Sequence, residues 1–349
     1  MALKISHKKY CLKFNFEAGT SRGVMKDRDI YILTLSDSRR PQVTGLGECA
    51  PLPGLSIEYG SDYEEVLDHV CRKMEGMELP ESLEVIPTIL NQYVTQKKPS
   101  IFFGFEMAFR DLLKGGNKIL FDSAFTQGKE SLPINGLIWM GDHQFMREQI
   151  EEKVQAGYTC LKMKVGAIDF SQELELLSYL RQLAPEAIIR IDANGAFREE
   201  EATEKLDQLA HLKIHSIEQP LAPGQGSAMR RLCQTSPISI ALDEELIGVV
   251  GLDGKKSLLE EIKPLHIVLK PTLLGGFQAT KEWIKLAKGL GIGWWITSAL
   301  ESNIGLNAIS QFTASLPYIG HQGLGTGQLY SNNFGGELRI EMGYLHYDR

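Results

Sequence analysis

The stretch Tyr158-Thr-Cys-Leu-Lys162-Met-Lys164-Val-Gly166 carries two lysines, one residue apart, inside an otherwise apolar run. Because alternate residues of a β-strand point to the same face, Lys162 and Lys164 would lie on one face and the apolar residues on the other. Two neighbouring ammonium groups repel each other. Such a strand therefore either ends at solvent or directs both amines toward a strongly anionic group.

Short apolar runs of the same kind alternate with helical segments along the second part of the chain. The predicted helices include Phe170 to Leu183, Glu199 to Leu212 and Thr280 to Gly289. The predicted strands are Pro133 to Ile138, Thr159 to Val165, Ile188 to Asp192, His215 to Glu218, Ser239 to Asp243, His266 to Lys270, Gly293 to Thr297 and Tyr318 to Gly320. Eight strands separated by helices pair in parallel, which favours an α/β barrel over an open doubly wound sheet.

The first 125 residues have a different pattern, with strands first and helices afterwards. Such an order indicates an α+β domain. The predicted strands are Lys9 to Phe16, Ile30 to Leu35 and Gln42 to Ala50, and the predicted helices run from Ser61 to about Met77, from Glu81 to about Thr95 and from Pro99 to Gly115. We predict the α+β domain over residues 1–125 and the barrel over residues 126–325, with the tail of about residues 326–349 packing back on the N-terminal domain.

Composition excludes several classes of protein. The chain has 349 residues, a formal net charge of -7 and no long basic run, which argues against nucleic acid or an anionic membrane as the main partner. Five dispersed cysteines without a C-x-x-C motif suggest neither a disulfide framework nor a zinc site. No signal-peptide pattern or membrane-length apolar run occurs, so we expect a cytoplasmic protein with a small-molecule substrate. The oligomeric state is not indicated.

Charged residues end five consecutive strands of the predicted barrel, and they are Lys164, Asp192, Glu218, Asp243 and Lys270. Successive members are 28, 26, 25 and 27 residues apart, close to one β/α unit, so all five fall on one rim. In a (β/α) barrel the active site is built at the C-terminal rim.

Three carboxylates that converge on a rim repel one another unless a cation joins them. Ligation by Asp192, Glu218 and Asp243 suits a hard divalent ion, Mg²⁺, for which Mn²⁺ could substitute. Taken singly, each carboxylate could instead be a helix N-cap or part of a solvated acidic turn. The series with bracketing lysines favours the metal site.

The lysines suggest the chemistry. A metal-held substrate carboxylate between lysines is suited to losing its α-proton, because the resulting enediolate is dianionic and needs cations. Lys164 is the predicted base, and the charge of Lys162 favours its neutral form. Lys270 could act as a second base, as in a racemase, or remain an ammonium group that stabilises the intermediate. Asn194 could donate a hydrogen bond to substrate or form an Asn-Gly turn.

Hydroxyl groups follow the seventh predicted strand, at the start of a predicted helix. Ser298 and Ser302 offer a carboxylate-binding position there. The competing interpretation is that Ser302 only caps the helix.

The motifs on the rim resemble those of the muconate lactonizing enzyme subgroup of the enolase superfamily. In order, the K-x-K, D-x-N, E-Q-P, D-E and K motifs of that subgroup match Leu161-Lys-Met-Lys164, Asp192-Ala-Asn194, Glu218-Gln-Pro220, Asp243-Glu244 and Leu269-Lys-Pro271. The resemblance implies a modified TIM barrel, (β/α)7β, under an N-terminal α+β capping domain. Lysine or histidine bases acting with magnesium at an enediolate are the known chemistry of this superfamily.

Within the subgroup, two pieces are similar to the o-succinylbenzoate synthase family. They are Gly47-Glu-Cys-Ala-Pro-Leu-Pro-Gly54 and the Ser298-x-x-Glu301-Ser302-x-x-Gly305 pattern, although Thr297-Ser298 stands where that family often has Ser-Ser. This resemblance implies a lyase of menaquinone biosynthesis that dehydrates 2-succinyl-6-hydroxy-2,4-cyclohexadiene-1-carboxylate by syn elimination. It further implies that Lys164 transfers the protons, that Lys270 stabilises the enediolate by charge and cation-π contact, and that Ser298, Glu301 and Ser302 contact substrate.

Other functions on this scaffold stay open. An N-succinylamino acid racemase would share the same residues and use Lys164 and Lys270 as two bases. A dipeptide epimerase would carry D-x-D after strand eight, where this chain has His321-Gln-Gly-Leu-Gly-Thr-Gly. A muconate cycloisomerase is a further alternative. A non-catalytic metal-binding barrel is the alternative from another class, and it would have no use for like charges at one rim.

Overall fold

Three long antiparallel strands begin the chain: β1 (Leu3–Thr20), β2 (Gly23–Asp37) and β3 (Arg40–Cys49). They pair in the order β1-β2-β3. The computed structural model describes residues 3–20, 23–317 and 320–348. The strands are longer than predicted, because β1 and β2 stay paired from Leu3 opposite Asp37 to Thr20 opposite Gly23, with a shift of register after Lys13.

Three helices follow the sheet: α1 (Tyr63–Met74), α2 (Ile86–Tyr93) and α3 (Pro99–Leu113). Helix α3 is buried on two sides. Its Phe105 and Phe109 pack in the core of the N-terminal unit, whereas Phe103 and Met107 belong to the core of the barrel. The helix therefore joins the two units through apolar packing, and its aromatic residues are core residues.

The barrel strands run in parallel in chain order. After the short strand β4 (Leu132–Pro133), they are β5 (Gly136–Ile138), β6 (Cys160–Lys164), β7 (Ile188–Asp192), β8 (Ser216–Glu218), β9 (Ser239–Leu242), β10 (His266–Leu269) and β11 (Gly293–Ile296). Strands β5 to β11 form one seven-stranded sheet with sequential neighbours. Seven of the eight predicted strands are thus confirmed.

Among the described residues, a short segment closes the sheet. Gln322 bridges Ile134 and Gly323 bridges Thr297, both in parallel orientation. The predicted eighth strand, Tyr318 to Gly320, begins at residues that lie outside the described ones, and the closing contacts are made two to three residues after Gly320.

Helices separate the strands of the barrel. They are α4 (His143–Gln155), α5 (Phe170–Leu183), α6 (Glu199–Ala210), α7 (Gly226–Thr235), α8 (Leu252–Ile262), α9 (Pro271–Leu274), α10 (Gly276–Gly289) and α11 (Asn303–Ala314). The apolar residues of the strands pack against these helices, as Leu161 and Met163 of β6 do. Because side chains alternate along a strand, Lys162 and Lys164 then point the other way, into the barrel.

The C-terminal segment touches both units. Leu329 accepts a hydrogen bond from Asn15 N, and Ser331 N donates to Lys13, so this part of the chain lies along β1. The final hairpin, β12 (Leu338–Glu341) and β13 (Tyr344–Tyr347), instead pairs with β4. The predicted domain boundaries stay a prediction.

No helix in the described ranges combines the length and the apolar character that a membrane span requires.

Candidate active site

The charged residues predicted at the strand ends do meet on one rim. Lys164, Asp192 and Glu218 are the last residues of β6, β7 and β8, and they pair in register across the sheet. Asp243 and Lys270 directly follow β9 and β10. The side chains of all five are about nine-tenths buried or more.

Three lysines balance three carboxylates in this rim. Lys162 Nζ lies 2.9 Å from Asp192 Oδ2 and 2.9 Å from Glu218 Oε2. Lys164 Nζ lies 3.1 Å from the same oxygen of Asp192, and Lys270 pairs with Asp243. The anionic partner that the K-x-K strand required is thus a row of carboxylates on neighbouring strands. Buried charges of this kind are tolerated because each one is paired.

The two lysines of the K-x-K pair differ in their proton affinity. Burial lowers the pKa of Lys164, and the nearby ammonium groups of Lys162 and Lys270 act in the same direction, against the attraction of Asp192. Burial also acts to lower the pKa of Lys162, but the two carboxylates that it bridges outweigh this, and its pKa is raised. Lys162 is therefore held as a cation, while Lys164 gives up its proton more easily than an ordinary lysine.

Asn194 is bonded to the predicted base. Its Oδ1 accepts a hydrogen bond from Lys164 Nζ at 2.7 Å, and its Nδ2 donates to Glu244 Oε1 at 3.0 Å. The residue has a left-handed backbone with φ 45°, so the Asn-Gly turn that was the alternative interpretation and the polar contact occur together.

A cavity of about 670 Å³, including its mouth, opens over these groups. One wall carries Lys162, Lys164, Asp192, Asn194 and Lys270. The opposite walls are mostly apolar and come from both units of the chain, with Met25, Leu52 and Leu55 from the N-terminal unit and Leu137, Trp139 and Leu300 from the barrel. A charged wall that faces apolar ones is typical of a site for a small organic molecule.

The residues predicted after strand seven divide into two groups. Ser298 lines the cavity, and its Oγ lies 2.6 Å from Thr326 Oγ1. Ser302 is fully buried and caps α11 by accepting from Ile304 N, which supports the competing interpretation of this residue. Glu301 is buried within the loop, where it accepts from Ala299 N at 2.8 Å and from Thr272. The cavity wall includes neither Glu301 nor Ser302 among the described residues.

Two residues of the N-terminal unit hold this loop. Glu48 accepts hydrogen bonds from Ser302 N at 2.9 Å and from Gly305 N at 2.8 Å, so a carboxylate occupies the N-terminus of α11. The buried guanidinium of Arg28 donates to the carbonyl oxygens of Ala50, Ala299 and Leu300. These contacts fix one wall of the cavity to the cap.

Sequence reasoning missed several residues of the site. Arg28 and Trp139 gave no signal, because nothing in their local sequence indicates a partner far along the chain. Lys164 Nζ lies over the ring of Trp139, 6.0 Å from its centroid. Glu48 lies in the Gly47 to Gly54 motif and Gln219 in the Glu218-Gln-Pro220 motif, but the sequence alone indicates no role for either residue. Asn135 also lines the cavity.

Asp192, Glu218 and Asp243 are the carboxylates predicted to hold a divalent ion. Within the part of the chain that the structure describes, no three carboxylate, imidazole or thiolate groups lie close enough together to hold one metal ion, since each of the three is turned onto a lysine. Glu218 Oε1, however, is buried and has no hydrogen-bond partner among the described residues. A buried carboxylate oxygen without a donor is suited to a cation, so the donor set fits a hard divalent ion. The ligand assignment stays a prediction.

Comparisons with known proteins agree with this architecture. Residues 145–349 match the family described as "Enolase C-terminal domain-like". The chain is 43% identical to the o-succinylbenzoate synthase of Desulfotalea psychrophila over 98% of both chains, and 30% identical to that of Thermosynechococcus vestitus over 83% of this chain and 82% of the relative.

Solved structures confirm the predicted fold. The crystal structure of MenC from Desulfotalea psychrophila superimposes with a TM-score of 0.88 at 39% identity, covering 99% of this chain and 100% of that one. The muconate lactonizing enzyme from Pseudomonas putida has the same fold, with a TM-score of 0.82 at 21% identity over 98% of this chain and 93% of that one. By sequence and by fold, the chain belongs to the enolase C-terminal domain-like family of the enolase superfamily.

Proposed function

We propose that this chain catalyses the Mg²⁺-dependent dehydration of 2-succinyl-6-hydroxy-2,4-cyclohexadiene-1-carboxylate to o-succinylbenzoate, a carbon-oxygen lyase reaction of menaquinone biosynthesis. The observation that carries the proposal is the row of three lysines and three carboxylates on one barrel rim, of which the three lysines and Asp192 line a cavity with mostly apolar walls. The 43% identity to a protein named o-succinylbenzoate synthase over nearly the whole chain supports this choice of substrate.

Asp192, Glu218 and Asp243 would hold the Mg²⁺ ion. The ion would supply positive charge to the substrate carboxylate while the neighbouring carbon loses its proton. Lys162 is the cation that keeps this row of carboxylates compact, because it bridges Asp192 and Glu218.

Lys164 would move the protons. Its neutral amine would take the proton α to the substrate carboxylate, and the resulting ammonium group would return that proton to the hydroxyl group as the carbon-oxygen bond breaks. Water leaves, and the ring becomes aromatic, so the atoms and charges balance. A single amine serving both steps requires that both groups leave from one face of the ring, which is a syn elimination.

Lys270, which lines the same cavity as Lys164, would remain an ammonium group. Its pairing with Asp243 favours the charged form, which can stabilise the negative charge of the enediolate. Asn194 would orient the amine of Lys164, since its amide oxygen already accepts a hydrogen bond from that amine. Leu52 and Leu55 would exclude water from the ring of the substrate.

A second candidate function is an N-succinylamino acid racemase on the same site. It is favoured by one observation, that Lys164 and Lys270 line the same cavity and could serve as two bases. Proton exchange at the α-carbon of N-succinylamino acids in D₂O measures this activity directly.

The deciding experiment mixes purified protein, Mg²⁺ and the cyclohexadiene substrate while ultraviolet absorbance is followed. We expect an aromatic product, and its absence would exclude the dehydratase and leave the racemase or a non-catalytic barrel. Lys164→Ala should abolish turnover while Mg²⁺ binding, measured by calorimetry, is retained. A cytoplasmic location is part of the proposal and agrees with five cysteines that are all free thiols.

A further inference from the structure

Gln219 has an unusual conformation at a critical place in the chain. It directly follows Glu218 at the end of β8, it is fully buried, and its backbone φ is 40°. A left-handed backbone is costly for a residue with a long side chain and persists only where the surroundings enforce it. The conformation must therefore be held by contacts of the residue.

The side-chain amide of Gln219 is completely used. Its Oε1 accepts from the backbone N–H groups of Asp243, at 3.1 Å, and Glu245, at 3.2 Å. Its Nε2 donates to the carbonyl of Leu221 and to Glu245 Oε2, both at 3.0 Å. The amide thus bonds to the backbone of one proposed ligand, Asp243, while its own backbone follows another, Glu218.

The backbone of Gln219 extends this connection to the neighbouring strands. Its N–H donates to Ala241 O in β9 at 2.8 Å, and its carbonyl accepts from Gly195 N, just after β7, at 2.7 Å. One residue therefore links the ends of β7, β8 and β9, the three strands that carry Asp192, Glu218 and Asp243.

We propose that Gln219 is a positioning residue that sets the spacing of Glu218 and Asp243 for the divalent ion. This inference rests on the metal site of the proposed function. Polar groups behind metal ligands orient those ligands, and their loss commonly weakens metal binding about 10- to 100-fold.

The chemistry of the site requires an amide and no other group. Only an amide can both accept from two N–H groups and donate to a carboxylate and a carbonyl. A glutamate at this position would keep the acceptor but place a second carboxylate against Glu245 Oε2. A side chain of the same size as glutamine is therefore not sufficient at this position. This requirement distinguishes a positioning role of Gln219 from a role in packing.

The test is a double-mutant cycle between Gln219 and Glu245, read by calorimetric titration of the substrate-free protein with Mg²⁺. Gln219→Glu should weaken Mg²⁺ binding about 10- to 100-fold. Glu245→Gln should weaken it less, because the new amide can satisfy either Gly224 N or Gln219 Nε2 but not both of these donors. The double variant restores a carboxylate opposite an amide and should recover part of the affinity.

Gln208→Glu, on the exposed surface of α6, adds the same charge away from the rim and should leave Mg²⁺ binding unchanged. Thermal unfolding of each variant shows whether it is folded. If Gln219→Glu is not folded, the Mg²⁺ affinity of the milder Glu245→Gln variant tests the positioning role. Affinities of the variants within twofold of the parent, or a parent that binds no Mg²⁺, would overturn the inference. If Mg²⁺ binds and Gln219→Glu weakens it but no dehydration occurs, the proposed reaction fails while the positioning role stands.

Discussion

Lys164 Nζ donates to Asn194 Oδ1 at 2.7 Å, and Asn194 holds this position with a left-handed backbone of φ 45°. The side chain and the backbone of Asn194 can be separated by two substitutions. Asn194→Gly removes the amide and tolerates the backbone angle, whereas Asn194→Ala removes the amide and retains the strain. We expect kcat for dehydration to fall about 100-fold in both variants, because the amine of Lys164 would no longer be held in position to take the substrate proton.

The two variants should differ in stability instead. The free energy of unfolding, measured with urea, should be about 1 kcal/mol higher for Asn194→Gly than for Asn194→Ala. A glycine variant with the kcat of the parent would show that the amide does not orient Lys164.

Arg28 provides a test of how the cap shapes the site. Its guanidinium bonds to carbonyls on both units, at Ala50, Ala299 and Leu300. Arg28→Lys cannot span these carbonyls, and the buried acceptors it leaves unpaired should cost about 2 to 4 kcal/mol of stability. KM should rise as well, because Ala299 and Leu300 line the cavity.

Arg39→Lys is the matched control for Arg28→Lys. Arg39 is half-exposed and pairs with Asp37 at the turn between β2 and β3, so its replacement should change stability by less than about 1 kcal/mol and leave KM unaltered. Equal effects of the two substitutions on KM would mean that Arg28 does not shape the site.

The rim could be predicted from sequence because a repeated β/α unit has a nearly constant length. Once Lys164 is placed at the end of one strand, the spacing places Asp192 and Glu218 on the next two, and the structure pairs these residues in register. The alternation of β6 likewise predicts that Lys162 and Lys164 share the inner face. Local rules of this kind need no knowledge of distant contacts.

The loop contacts could not be predicted for the converse reason. Whether Ser302 faces substrate or Glu48 depends on a partner 254 residues away, and periodicity carries no information about such pairs. The segment of Gln322 and Gly323 that closes the sheet could not be predicted either, since it makes only single bridges and has no strand-like run. The spacing of the sequence places the three carboxylates together, but it does not indicate which lysine pairs with which carboxylate.

The contact between α3 and β3 gives a prediction about packing. A Cβ atom added at Gly47 would lie 2.0 Å from the carbonyl oxygen of Gly104, a backbone atom that cannot move aside. Gly47→Ala should therefore separate helix from sheet and destabilise the protein by about 3 kcal/mol, the upper end of the usual range for overpacked cores.

Gly289→Ala is the control for Gly47→Ala. Gly289 is the last residue of α10, and a Cβ atom added there would meet no other atom within 4 Å, so alanine should be neutral or stabilise by up to about 1 kcal/mol. Chemical denaturation of both variants decides, and a Gly47→Ala variant as stable as the parent would contradict the close approach.

Glu106 of α3 makes stability depend on pH. Burial raises its pKa to about 7, against the N–H groups of Phe277 and Gln278 that favour the charged form. Phe277 N donates to Glu106 Oε2 at 2.6 Å. Because the folded protein binds this proton more tightly than the unfolded chain, the contribution of Glu106 is fully present below pH 4.5 and is lost as pH rises to about 7.

Glu106→Gln keeps the acceptor for Phe277 N and removes the titration. Relative to the parent, its free energy of unfolding should therefore rise by about 3 kcal/mol between pH 4.5 and pH 8, which is the pKa difference converted at about 1.4 kcal/mol per unit. Urea unfolding at several pH values measures this difference. Glu65→Gln, on the exposed face of α1, supplies the baseline for losing one carboxylate. A parent-to-variant difference that stays constant across this pH range would show that the proton on Glu106 is not bound more tightly in the folded state.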